Sequence, residues 1–190
     1  MRIYQRERGR ASTKISLGDI SVAVLVAATI AVAAQIEVPF YPVPMTLQTL
    51  AVLSASLIVG FRRALGAMGI YLAAGALGMP VFAGGTGGIA ILFGPTGGYL
   101  AGFVLAAAFC GLARDLGLTR ANSGCIAVAL IGAALVYPTG LLRLGAVVGW
   151  DKPVLEWGLY PFVAGDLVKA VIAVLFSRGA TRLGHLWGAP

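Results

Sequence analysis

The stretch Leu17–Ile36, which reads LGDISVAVLVAATIAVAAQI, decides the fold class because it holds only one charged residue, Asp19. An α-helix needs about 20 predominantly apolar residues to cross the hydrocarbon core of a bilayer. Asp19 lies in the first turn, where the positive end of the helix dipole tolerates an acid. The apolar run is too long for the core of a signal peptide and has no convincing cleavage site. The stretch therefore predicts a first transmembrane helix that is retained.

The rest of the chain has the same apolar character. Hydrophobic residues make up 59% of the 190 residues and charged residues only 11%, and the mean hydropathy is +0.92. A soluble domain carries about 25% charged residues, so this chain has too few to cover a surface that faces water. In a soluble protein the net charge of +7 would suggest nucleic acid. Because the basic residues here lie between apolar runs, membrane topology explains them better, and no nucleic-acid partner is expected.

Five more apolar stretches follow, so the sequence predicts an all-α membrane protein with six transmembrane helices. We expect Arg62 and Arg63 to end the second span and Pro138 to kink the fifth. The segment Val81–Gly98 is apolar but rich in glycine, which favours turns over a plain helix. We interpret the chain as a single domain, 1–190, with a basic tail over 1–15 and a helix bundle over 16–182. The five later spans are predicted at Met45–Phe61, Ala64–Leu77, Tyr99–Leu112, Ser123–Leu144 and Trp157–Phe176.

The positions of the basic residues predict the orientation of the bundle. With the N-terminus in the cytoplasm, all 14 lysines and arginines lie on the inner side except Arg143, Lys152 and Lys169. Adding or removing one span would mix the inner and outer groups. Since cytoplasmic loops carry the excess of Lys and Arg, we expect an even number of spans with both termini in the cytoplasm.

Two ionisable residues within the sixth span are the strongest candidates for function. Asp166 and Lys169 are three residues apart and so share one face of a helix. Charges inside a span are costly unless they face protein, water or a ligand. The two residues either stabilise the bundle as a self-satisfied pair or form part of a solute site near the outer face. A carboxylate accepts N–H donors and an ammonium donates to oxygens, so a ligand with a urea-like group and an acid would suit them.

Two outer segments are candidates for the walls of such a site. Irregular backbone at membrane depth survives only where protein covers it or where it lines a cavity, so Val81–Gly98 is either a tight connector or a pocket wall. The prolines of the first outer loop predict a stiff, extended approach to the second span. Thr46, Gln48 and Thr49 follow, and they can hydrogen-bond either to a solute or to a neighbouring helix.

The sequence shows no set of residues for catalysis or metal binding. It has no Gly-x-Ser-x-Gly or His-Glu-x-x-His motif and no nucleotide-binding loop, so neither an enzyme nor ATP hydrolysis by this chain is expected. Cys110 and Cys125 lie in apolar stretches, and the one histidine, His185, lies near the end of the chain, so no metal site is predicted.

Four motifs in order resemble a known family. They run over Pro42–Leu50 (PVPMTLQTL), Gly78–Gly85 (GMPVFAGG), Gly94–Phe103 (GPTGGYLAGF) and Pro161–Lys169 (PFVAGDLVK). From about Ser16 to Arg182 the chain is similar to BioY, the biotin-specific S component of energy-coupling-factor (ECF) transporters. The resemblance implies the six-helix S-component fold and high-affinity biotin uptake across the cytoplasmic membrane of a prokaryote. An S component for another small vitamin or cofactor precursor is the alternative.

The resemblance also implies where the ligand binds. Biotin is expected near the outer face, under the loop that joins the third and fourth helices, with Asp166 and Lys169 at its ureido ring or its carboxylate. Biotin is then the transported ligand, and no cofactor is expected. The other residues implied or suggested for the site are Gln48, Phe82, Gly84, Gly85, Gly88, Phe93, Thr96 and Tyr99.

Partner proteins follow from the same resemblance. It implies a membrane-embedded coupling protein and two ATPases that supply the energy, and some members of the family work without them. Ala23, Ala27 and Ala31 on the first helix resemble the surface that S components use against the coupling protein. Small residues at this spacing allow close helix approach, so they fit contact within the bundle equally well.

Overall fold

The computed structural model describes residues 16–186, and the regular structure in this range is almost entirely helical. One short antiparallel hairpin pairs β1 (Glu37–Val38) with β2 (Met45–Thr46), and Ala83–Gly85 forms a single 3₁₀ turn. The predicted basic tail over 1–15 lies outside the described residues. The helices are α1 (Leu17–Gln35), α2 (Gln48–Val59), α3 (Phe61–Ala76), α4 (Ile89–Leu92), α5 (Gly97–Asp115), α6 (Asn122–Ala134), α7 (Val136–Val148), α8 (Val154–Gly158) and α9 (Tyr160–Leu186).

Several of these helices have the length and composition of membrane spans. Within residues 16–186, four stretches qualify: Leu17–Gln35, Gly97–Asp115, Asn122–Val148 and Val154–Leu183. The chain is therefore a multi-pass membrane protein, as its composition predicts. The helices α2 and α3 have only 12 and 16 residues, so the count of six spans stays a prediction for these two.

The first helix begins with a complete cap that accounts for Asp19. The Ser16 hydroxyl accepts the Asp19 N–H at 3.1 Å, and the Asp19 carboxylate accepts the Ser16 N–H at 3.0 Å. Such a reciprocal cap satisfies N–H groups that have no partner within the helix. Asp19 also forms an ion pair with Arg63 of α3 at 2.7 Å. The one acid of the first span thus serves as a cap and as a link to α3.

The predicted stop of the second span at Arg62 and Arg63 is wrong. The helix α2 ends at Val59, and both arginines lie in the first turn of α3. Gly60 separates the two helices with φ at 83°, a left-handed conformation that residues with a Cβ adopt at a cost. A Cβ on Gly60 would also lie 2.4 Å from Oδ1 of Asp115. The break therefore comes from a glycine rather than from charge.

The segment between α1 and α2 forms a hairpin, and its second strand gives α2 the extended approach that the prolines predict. The β hairpin occupies Met45 and Thr46, so α2 begins at Gln48 and the predicted start at Met45 is wrong. The hydroxyl of Thr46 accepts the Gln48 N–H at 3.2 Å at the beginning of the helix. The extended approach places Thr46 and Gln48 together at one end of the bundle.

The predicted kink at Pro138 falls where α6 ends and α7 begins. Proline lacks the N–H that would bond to the carbonyl four residues earlier, which here belongs to Ala134, the last residue of α6. The chain continues as α7 from Val136 after one intervening residue, Leu135. This break sets the direction of the half-helix that carries Tyr137.

The helix α5 lies at the centre of the bundle. It packs against α2, α3, α6 and α7, while α9 packs against α2 and α6, and α1 packs against α2 and α3. Contact between α5 and α7 is close, since a Cβ on Gly102 would lie 2.7 Å from Cα of Val136. One cluster of buried apolar side chains joins all of these helices. The hairpin and the segment 77–96 lie at one end of this core.

Candidate functional site

A cavity of about 250 Å³ lies at the end of the bundle that carries the hairpin and the segment 77–96. Its size is just below the roughly 300–1,000 Å³ of most small-ligand pockets. The wall is mainly apolar and aromatic, with eight polar or charged side chains that come from α2, α7, α9, the hairpin and the segment 77–96. Those polar or charged side chains are Thr46, Gln48, Thr49, Thr86, Thr96, Tyr137, Asp166 and Lys169.

Asp166 and Lys169 form a buried ion pair on the cavity wall. Lys169 Nζ lies 2.9 Å from Asp166 Oδ1, and the two residues are only 7% and 6% exposed. The hydroxyl of Tyr137 donates to Asp166 Oδ2 at 2.6 Å. An ammonium has three N–H donors, and in residues 16–186 only one of those on Lys169 has a partner. The pair is therefore not satisfied by itself alone, and it borders a space that a ligand can enter.

A second polar group faces the cavity from the beginning of α2. Thr46 Oγ1 donates to Gln48 Oε1 at 2.9 Å, and Gln48 Nε2 donates to the Tyr71 hydroxyl of α3 at 2.7 Å. All three residues are buried. Gln48 thus contacts a neighbouring helix and also lines the cavity. The sequence left these two roles open as alternatives, and the structure is compatible with both.

Aromatic rings form much of the remaining wall. Tyr99 stacks on Phe162 with ring centroids 6.4 Å apart, and its hydroxyl donates to the Gly158 carbonyl at 2.8 Å. Phe82 packs edge-on against Tyr71 at 5.5 Å and is 2% exposed. Such rings supply large apolar area and fixed geometry for a ligand.

The glycines of the segment Val81–Gly98 shape the turn beside the cavity, and other residues of that segment form part of its wall. Phe82 and Thr86 close a short turn through a backbone hydrogen bond at 3.0 Å, and Gly84 and Gly85 within it have φ of 66° and 65°. Gly88, at φ 101°, donates its N–H to a carbonyl of α3 at 2.7 Å. None of these three glycines lines the cavity; Phe82, Ala83 and Thr86 of the same turn do.

Two predicted contacts differ in the structure. Phe93 is 66% exposed and does not line the cavity, so its prediction as a pocket wall is wrong. It lies between α4 and α5, where its carbonyl accepts from Arg143 and its ring points away from the core. Ala23 and Ala27 are each 5% exposed within the core, and Ala31 is half-buried. The burial of Ala23 and Ala27 fits contact within the bundle, and a role of the three alanines against a coupling protein stays a prediction.

Tyr137 and Phe162 also line the cavity, although the sequence did not predict them as site residues. Phe162 lies inside the Pro161–Lys169 motif, next to the proline that begins it. The hydroxyl of Tyr137 lies in the middle of an apolar span, where it needs a hydrogen-bond partner, and this was the available indication. In the described part of the chain no group of His, Cys, Asp and Glu has the arrangement of a metal site.

The described basic residues separate between the two ends of the bundle. Arg63 pairs with Asp19 at the start of α1, and Arg178 donates to the carbonyls of Thr119 and Ala121 between α5 and α6. Both contacts lie at the end away from the cavity. Arg143 lies at the cavity end, against the carbonyl of Phe93.

These features define a multi-pass helical membrane protein with a solute-sized cavity at one end of its bundle. A family model described as the BioY family matches residues 8–185. The chain belongs to the BioY family, which confirms the predicted family and identifies a transport protein rather than an enzyme.

Individual relatives agree with this assignment. A "Probable biotin transporter BioY" from Pyrococcus horikoshii is 40% identical, over 84% of this chain and 94% of the relative. A "Biotin transporter BioY" from Thermotoga maritima is 36% identical, over 82% and 91%. The crystal structure of the S-component for biotin from an ECF-type ABC transporter matches with a TM-score of 0.76 and 25% identity, over 89% of this chain and 95% of that one. The predicted S-component fold is confirmed.

Proposed function

We propose that this chain binds biotin in the cavity and takes it up as the substrate-specific subunit of an ECF-type transporter. The observation that carries the proposal is the buried Asp166–Lys169 pair, which borders the cavity and, among residues 16–186, leaves N–H donors of Lys169 without a protein partner. The names of the relatives and of the matching structure support biotin as the ligand.

The chemistry of the cavity suits biotin at both of its polar ends. The ureido ring has two N–H donors and one carbonyl oxygen, and the side chain ends in a carboxylate. Asp166 has lone pairs for a ring N–H, and Lys169 can donate to the ring oxygen or to the carboxylate. Tyr99 and Phe162 offer an apolar surface for the thioether ring and the methylene chain.

The proposal includes a single membrane domain in a prokaryotic cytoplasmic membrane, with both termini in the cytoplasm. Arg63 and Arg178 lie at the end away from the cavity, which fits a cytoplasmic position for that end. The cavity then opens toward the outside, where the solute arrives. A membrane coupling protein and two ATPases would supply the energy, with biotin as cargo. A reporter fused to the C-terminus should be active only in the cytoplasm, and external activity would contradict this topology.

The binding proposal is tested by titrating the purified protein with biotin and with biotin methyl ester, which keeps the ureido ring and loses the carboxylate charge. Biotin should bind saturably and raise the melting temperature by mass action. If the methyl ester binds more weakly than biotin, the carboxylate of biotin lies at Lys169. If the two compounds bind with equal affinity, the ureido ring lies at Lys169. A panel of other vitamins serves as the control. If another vitamin stabilises the protein and biotin does not, the alternative S-component function is the correct one.

A further inference from the structure

The side chain of Gln35, at the last residue of α1, reaches across to the turn that covers the cavity. Its two Nε2 hydrogens are shared among three carbonyls, those of Ala31 at 3.0 Å, Phe82 at 3.1 Å and Val81 at 3.4 Å. Its Oε1 accepts the Gly85 N–H at 2.9 Å. One amide therefore makes three hydrogen bonds to backbone groups that lie 46 to 50 residues away in sequence.

The turn that Gln35 holds forms part of the cavity wall. Phe82, Ala83 and Thr86 all line the cavity, and the backbone bond from Phe82 N–H to the Thr86 carbonyl closes the turn. On its other side the segment rests on α3, because Gly88 N–H donates to the Gly75 carbonyl at 2.7 Å. Gln35 of α1 thus holds one side of the segment, and Gly75 of α3 holds the other.

From this geometry we infer that Gln35 is a positioning residue that holds the Phe82–Thr86 turn over the cavity and slows the departure of the bound ligand. The inference rests on the proposed function for the identity of that ligand. Gln35 itself does not line the cavity, so it acts through Phe82, Ala83 and Thr86 rather than by touching biotin. Loss of its hydrogen bonds should free the turn and leave the ion pair at Asp166 unchanged.

The test compares Gln35→Met, which keeps the length and loses all polar contacts, with Gln35→Glu, which keeps the acceptor for Gly85 and loses both donors. Thr29→Ala is the matched control. Like Gln35, Thr29 donates a side-chain hydrogen bond to the carbonyl four residues earlier on α1, but it makes no hydrogen bond to the turn. Biotin dissociation should be roughly tenfold faster in Gln35→Met, the effect of losing one to two net hydrogen bonds. Gln35→Glu should also release biotin faster, and Thr29→Ala should match the wild type.

Hydrogen–deuterium exchange without ligand gives a second readout that does not depend on biotin. The Gly85 amide should exchange faster in Gln35→Met than in the wild type and in Thr29→Ala. If the wild type binds biotin and both Gln35 variants release it at the wild-type rate, the inference is refuted, even if the turn exchanges faster. If the wild type does not bind biotin, the proposed function fails instead, and unchanged Gly85 exchange would then overturn the positioning role separately.

Discussion

Replacing Lys169 with methionine removes the only cation on the described cavity wall while nearly preserving its length. Lys169 Nζ bonds to Asp166 Oδ1 at 2.9 Å and, in the proposed complex, to an oxygen of biotin. A hydrogen bond to a charged group contributes about 1.5–3 kcal/mol. Losing the hydrogen bond between Lys169 and biotin should therefore weaken biotin binding by about 10- to 150-fold.

The same substitution should also lower the free energy of unfolding. Asp166 is 6% exposed, and without Lys169 its remaining protein partner is the hydroxyl of Tyr137. Breaking a buried ion pair from one side costs about 3–5 kcal/mol, because a charge is left without compensation. The double variant Asp166→Asn with Lys169→Met removes both charges, so its stability should recover while its affinity for biotin stays low.

Calorimetric titration with biotin and thermal unfolding without ligand separate these two effects. Lys152→Met is the matched control, because Lys152 pairs with Asp151 at 3.0 Å but both side chains are at least half exposed. An exposed pair contributes about 0–1 kcal/mol, so this variant should bind biotin like the wild type. Wild-type affinity in Lys169→Met and in the double variant would refute the assignment of the site.

Two further predictions concern neighbours of the pair and of the turn. Tyr137→Phe removes the 2.6 Å hydrogen bond to Asp166. Losing one hydrogen bond to a charged group should weaken biotin binding by about tenfold in the same titration. Unchanged affinity would exclude Tyr137 from positioning Asp166. Gly75→Ala would place a Cβ 2.0 Å from the Phe82 ring and should lower the free energy of unfolding by about 1–3 kcal/mol. The control is Gly69→Ala on the same helix, which should be neutral because its Cβ would have no atom within 4 Å. Equal melting temperatures of the two alanine variants would contradict the close packing at Phe82.

The membrane class and the charged pair follow from the sequence for simple physical reasons. Long apolar runs need lipid or core around them, and a three-residue spacing on a helix brings Asp166 and Lys169 to one face. The break between α6 and α7 falls close to Pro138, whose missing N–H acts locally. These features depend on residues close together in the chain.

Features that depend on tertiary packing were not predictable in the same way. Tyr137 of α7 and Asp166 of α9 are 29 residues apart in sequence, and only the tertiary structure brings the hydroxyl within 2.6 Å of the carboxylate. Phe93 lies in the same glycine-rich segment as Phe82, yet Phe82 turns inward over Gly75 and Phe93 turns outward. The alanines of α1 fit either a partner or the bundle by spacing alone, and the burial of Ala23 and Ala27 becomes visible only in the packed structure.

The role of Asp166 and Lys169 depends on what they contact when the ligand is present, and a structure of the protein with biotin measures this directly. We expect biotin in the cavity, with one of its polar groups within hydrogen-bond distance of Lys169 Nζ or an Asp166 oxygen. Biotin bound elsewhere, or a pair that still contacts only itself and Tyr137 in the complex, would contradict the central claim.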